Sequence, residues 1–339
     1  MPNDLPHKSF RFASSENYCE TPQAAEDRPY WYLSDLYDGQ CGTGDVYADV
    51  FTRSLDIIAT SPSGRLMLKE AMAQDWQIGF DEFSGDLSGE DFYIDVQEKQ
   101  IFLDNNALAP ESLFASPYFS NAVVLCTIRA LRQVWQEKRH GGFDEDYGPE
   151  SILMLERVRV ADCHVMAVLV AWELRGEGHN GLWRHLIGSE AGDMAMAFSK
   201  HLERDPGSMF AGGALASAFY QWYLCEERIN ECDHNTLEYM DMVMSETSQQ
   251  NPFGRKTMAR LDVEILSCLP DKTAYLQGQG DNILRDPRYA GLTDPINQTH
   301  LFHIMRDLET VIAGGVPFRD AGLAAKMFPE EDKDITTRI

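Results

Sequence analysis

Two arginines, Arg129 and Arg132, stand three residues apart in the segment Leu125–Gln136, with Gln133 and Gln136 beside them. Some twenty residues on, Glu156, Arg159, Asp162 and His164 lead into the apolar run Val165–Trp172, and Glu173 follows it. A guanidinium never loses its charge under ordinary conditions, and its fork of N–H groups can hold a carboxylate at two points. A carboxylate entering a core is costly unless it is paired. The chemistry expected of this set is therefore an ion pair, buried or half-buried, between Arg129 or Arg132 and Glu156 or Asp162. The competing reading makes Arg129, Arg132, Gln133 and Gln136 the wet face of an amphipathic helix, since charges at 3.6-residue spacing usually face solvent.

Other chemistry has less to stand on. Cys163 and His164 cannot form a nucleophile and base with each other, because adjacent helical residues point about 100° apart. Cys163 with His185 or His201 stays open but has no local support. Cys225-x6-Cys232-x-His234 gathers cysteine and histidine without the close C-x2-4-C pairs of structural zinc sites, so no metal is expected there. Gly176-Glu-Gly178 and Gly212-Gly-Ala214 lack the strand-then-helix setting of a phosphate loop.

The elements that must carry these residues follow from the patterning. The 339-residue chain is 44% hydrophobic, enough for a large core. Residues 1–44 are rich in proline and glycine and read as an arm, anchored by Tyr30-Trp-Tyr-Leu33. Helices are expected at Val46–Ile58 and Arg65–Gln74. Trp76–Phe80, Phe92–Val96 and Ile101–Leu103 alternate in the manner of strands, with Gln97–Gln100 as a turn, which predicts a small antiparallel sheet of about three strands. After Pro117 the period becomes helical, over 120–138, 150–175, 190–203, 208–229, 234–247, 257–268 and 298–313. Gly141-Gly142 should stop the first of these, and Asn235-Thr-Leu-Glu238 fits a capping box. The fold class is α+β, mostly α. Residues 45–315 form its mainly helical domain, and 316–339 a charged C-terminal tail.

Charge and cysteine usage narrow the partners. There are 54 acidic against 29 basic side chains, a net charge of −25, which disfavours nucleic acid and anionic membranes. The N-terminus carries no apolar run of the signal type, and no stretch approaches the roughly 18 apolar residues of a membrane span. Seven scattered cysteines, an odd number, fit reduced thiols in a cytoplasm.

The order of helix, small sheet and two further helices resembles the zincin plan. More closely, the chain resembles an uncharacterised bacterial family described as a putative metallopeptidase domain. The resemblance is carried by Ser63-Gly-Arg-Leu-Met-Leu-Lys69, Asp95-Val-Gln-Glu-Lys99, Arg129-x-x-Arg-x-x-Trp135, Val160-Ala-Asp162 through Ala171-Trp-Glu-Leu174, Gly192-Asp-Met-Ala195 and Phe219-Tyr-Gln-Trp222. It implies a zincin-like core whose His-Glu-x-x-His motif is absent here. In that register the first ligand falls at Arg129, the general base at Ala130, the second ligand at Gln133 and the third near Val160. Arginine offers only donors and valine offers nothing to zinc. The expectation is a non-catalytic protein with no cofactor, which binds a protein or peptide in the remnant cleft or over its helical surface. The alternatives are an active metal-dependent hydrolase, with zinc held by residues such as His164, Glu156, His140 or Asp162, and a structural or assembly protein whose cleft is filled by the arm. Partner identity and oligomeric state are not readable.

Overall fold

Short polar caps and prolines fix where this chain turns into helix. The computed structural model describes residues 30–39, 45–83, 91–105, 108–246, 251–308, 311–313 and 316–318. Most of the expected N-terminal arm and all but the first few residues of the expected C-terminal tail lie outside them.

The chain opens with β1 (Trp31–Tyr32) and α1 (Leu33–Tyr37), then α2 (Val46–Thr60) and α3 (Pro62–Met72). The Asp45 carboxylate starts α2 by accepting from the N–H groups of Tyr47 at 2.9 Å and Ala48 at 3.3 Å. Ser61 does the same for α3, accepting from Gly64 N–H at 3.0 Å, with Pro62 in the first turn where its missing N–H is not needed. Next come β2 (Gln77–Asp81), β3 (Phe92–Asp95), β4 (Gln100–Asp104) and α4 (Pro110–Ala115).

Strand order is β1-β2-β4-β3. The sheet is mixed rather than antiparallel, because β2 runs parallel to β4 from Gln77 opposite Gln100 to Asp81 opposite Asp104. Ile101, Phe102 and Leu103 are all buried, which suits a strand enclosed on both faces and flanked on both sides. The tight β3–β4 hairpin then leaves β3 outermost. Trp31 and Tyr32, expected only to anchor the arm, add a strand antiparallel to β2.

The helical body holds α5 (Pro117–His140), α6 (Pro149–Gly176), α7 (Asn180–Ile187), α8 (Gly192–Arg204), α9 (Gly213–Trp222) and α10 (Glu226–Glu246). It is completed by α11 (Arg260–Leu266), α12 (Gly280–Arg285), α13 (Pro287–Ala290) and α14 (Pro295–Leu308), and a hairpin of β5 (Val311–Ala313) and β6 (Val316–Phe318) follows. Gly141, at φ +82°, ends α5 in a conformation that suits glycine. The expected helix over 208–229 is instead broken, with α9 stopping at Trp222 and α10 starting at Glu226. Asn235–Glu238 therefore lies inside α10 and caps nothing. The final helix ends at Leu308, not 313, and α7 was not anticipated.

Helix α6 is the axis of the body, packed against α2, α3, α5 and α7 to α11. Val165, Met166, Val168, Val170, Ala171 and Leu174 are all sealed from solvent. Among the described residues no helix is long and apolar enough to cross a membrane.

Candidate functional site: a cleft over α5 and α6

Arg132 on α5 faces Asp162 on α6, and both side chains are 0% exposed. Arg132 Nε donates to Asp162 Oδ2 at 2.5 Å, Gln136 Nε2 donates to the same oxygen at 2.6 Å, and Tyr275 Oη donates to Oδ1 at 2.8 Å. Arg132 Nη2 also donates to the carbonyls of Leu266 at 2.8 Å and Cys268 at 3.0 Å. Burial works against the guanidinium charge, but the Asp162 carboxylate outweighs it and leaves Arg132 above its ordinary pKa. Tyr275 is pushed well above its ordinary value by burial and by the neighbouring carboxylate. It thus stays a donor toward the Asp162 carboxyl.

The other sequence candidates go elsewhere. Arg129 pairs with Asp91, just ahead of β3, at the protein's surface, with side chains 18% and 58% exposed. It touches neither Glu156 nor Asp162. Arg159 lies at the far end of α5, where its Nε faces Glu156 Oε1 at 3.3 Å and its Nη2 meets His140 Nδ1 at 3.2 Å and donates to the carbonyls of Gly141 and Gly142. Burial first, and then Arg159, hold the His140 imidazole below its usual range. A neutral ring there accepts from Arg159 at Nδ1 and donates from Nε2 to Asp262 Oδ1 at 3.2 Å. Glu137 shares this corner, and burial raises its carboxyl to about 7.

A second buried pair escaped the sequence reading. Arg157 donates to both oxygens of Asp233 on α10, at 2.5 and 2.7 Å, and to the carbonyls of Tyr289 and Gly291 at 3.0 Å. The available signal was an arginine set between Leu155 and Val158 in an apolar stretch of α6.

Beside the ion pairs runs a cleft of two compartments, of about 440 and 340 Å³. Asp91, Arg129, His164 and Glu190 border both and form the waist between them. The smaller compartment is bordered by Phe92, Tyr93 and Ile94 of β3, by Gln133 and Val160 of the helices, and by Glu231 of α10. The larger has Leu103, Leu113, Phe119, Val123 and Leu186 in its wall, together with Asp104 and His185. Arg129, Gln133 and Val160, three of the four positions in the zincin register, thus line one cleft, while Ala130 is buried in the core.

Burial, followed by the charges of Arg129 and Arg228, holds the His164 imidazole well below its usual range, so it is neutral at pH 7. Burial raises the Cys163 thiol far above its ordinary value, and it is no nucleophile at neutral pH. Among the described residues, no group of three or more His, Cys, Asp or Glu is gathered as a metal ion would require. Asp162 is already engaged by three donors, and His234, two residues past Cys232, is paired with Glu238 at 3.1 Å.

A profile for a family described as "Putative metallopeptidase family (DUF6782)" matches residues 45–276. The matched stretch closes one residue past Tyr275, the last side chain of the Asp162 network. No curated protein and no solved structure matches the chain.

Proposed function

The chain belongs to this putative metallopeptidase family, and from that premise we propose that it is a non-catalytic member that binds an extended segment of a protein partner in the cleft over α5 and α6. The zinc that the family description implies does not fit the residues present. Arg129 and Gln133 supply a cation and an amide, Val160 supplies no donor atom, and Ala130 supplies no base. No hydrolytic step is derived through it.

The observation that carries the reading is the shape of the cleft. Among the described residues β3 pairs only with β4 and stands last in the sheet order, and Phe92, Tyr93 and Ile94 line the smaller compartment. An outermost strand next to a side-chain pocket is where a sheet can take up an extended peptide, with backbone hydrogen bonds for affinity and pockets for choice. Among the described residues Cys126, Cys163, Cys225 and Cys268 are free thiols, which agrees with a cytoplasmic, reducing setting.

The experiment pairs a displayed peptide library with zinc analysis of untagged protein. Selected peptides should bind the wild type, protect the amides of β3 from hydrogen exchange, and lose binding to Val160→Trp, whose thermal midpoint is measured alongside to show that it folds. No peptide should be cleaved, with or without added zinc. Stoichiometric zinc that vanishes in His164→Ala together with peptide cleavage would replace this reading with the hydrolase.

A further inference from the structure

Resting on the peptide-cleft reading, the geometry points to a partner segment that carries a lysine or arginine, seated in the smaller compartment by Glu190 and Glu231, with an apolar side chain of the same segment against the leucines and Phe119 of the 440 Å³ compartment. The charges decide this. Arg129 is matched by Asp91, and Arg228 is matched by Asp193, with Nη2–Oδ1 at 2.6 Å and Nη1–Oδ2 at 3.3 Å. Arg159 is matched by Glu156. Once these pairs are set aside, the arginines present no spare positive charge to a ligand.

The carboxylates do have a surplus. Glu190, between α7 and α8, and Glu231, on α10, both border the smaller compartment, and among the described residues neither side chain is paired with a cation. They act on each other. The Glu231 carboxyl is raised by burial, then by Glu190 and by Asp91, as expected of like charges facing one opening. A cation placed between them relieves that repulsion, and charge complementarity of this kind sets partner choice more than bulk affinity.

Two further features ask for a peptide rather than a bare ion. Trp222 is 1% exposed and borders the same compartment, yet among the described residues its indole N–H finds no acceptor; a backbone carbonyl would supply one. The adjoining larger compartment is walled by Leu113, Phe119, Val123 and Leu186, which suits an apolar side chain next to the basic one.

The test uses an acetylated and amidated decapeptide library scanned at each position with Lys, Arg, Gln or Glu, read by fluorescence polarisation on the full chain. Lys or Arg at one position should bind about tenfold or more tightly than Gln, and Glu should be weakest. The variant Glu190→Gln/Glu231→Gln should erase that preference, while Glu98→Gln/Glu203→Gln, which removes the same charge from exposed sites elsewhere, should keep it. All four are solvent-exposed glutamates, so unchanged thermal midpoints should accompany both variants. Peptides that Val160→Trp still excludes, but whose basic preference survives Glu190→Gln/Glu231→Gln, would sink the inference and leave the cleft reading standing. If no member binds at millimolar concentration, both fall together.

Discussion

Asp162 has no water to turn to, so its charge rests entirely on Arg132, Gln136 and Tyr275. Removing it strands a buried guanidinium. Asp162→Ala should cost about 3–5 kcal/mol in urea unfolding, while Arg129→Ala, whose partner Asp91 is 58% exposed and can turn to solvent, should cost less, about 1 kcal/mol. A double-mutant cycle on Arg132 and Asp162 should show clear coupling, and additive losses would mean that the pair is not direct. Glu137 supplies a pH handle. Its folded carboxyl titrates at about 7, pushed up by burial, eased by Arg159 and raised again by Glu156, against an ordinary value of 4.5. The native state therefore holds a proton there that the unfolded chain has released. The associated stability is full below about 4.5 and is lost as pH rises through about 7. Urea midpoints across that range should fall with pH in the wild type, and Glu137→Gln should flatten the slope. At this scale the sequence told part of the story. It offered four pairings between two arginines and two carboxylates, and only Arg132 with Asp162 forms. Arg129 went to Asp91 because α5 also passes β3, a contact no helical period encodes. Tyr275 lies 113 residues from Asp162, and nothing local announces it.

Helix α6 reaches across to fasten α3 through one side chain. Glu173 accepts from the Ser61 hydroxyl, from Ser63 N–H at 3.0 Å and from Ser63 Oγ at 2.8 Å, so a carboxylate sits at the N-terminus of α3, where the helix dipole favours it. Glu173→Ala should cost about 1.5–3 kcal/mol, the range for charge-assisted hydrogen bonds, and Glu173→Gln should cost less. Thermal unfolding of the two variants checks this, and equal losses would show that charge plays no part. Element types were largely legible because the change from period two to 3.6 is strong after Pro117. The breaks were harder. Tyr223-Leu-Cys225 contains neither glycine nor proline, so the turn between α9 and α10 left no mark, while Asn235 imitated a cap in mid-helix. The parallel pairing of β2 with β4 was hidden for another reason: alternation tells which residues face a core, but not which strand lies in the middle.

Across the whole molecule, a net charge of −25 makes the folded chain repel itself. Salt shortens the reach of that repulsion, from about 30 Å at 0.01 M to about 8 Å at 0.15 M. The thermal midpoint should therefore rise when sodium chloride is added over that range. A fall would mean that attractive surface pairs outweigh the excess charge.

The reach of Arg132 also sets a timetable for biosynthesis. Its partners arrive in sequence: Asp162 thirty residues later, then the carbonyls of Leu266 and Cys268, and last the hydroxyl of Tyr275 on Asp162. A nascent chain that has released α5 and α6 from the ribosome, but not the segment after α11, holds a half-answered charge pair at its centre. Translation must pass Tyr275 before the interior can close, so chains cut short of that point should be substrates for chaperones and proteases rather than smaller folded forms.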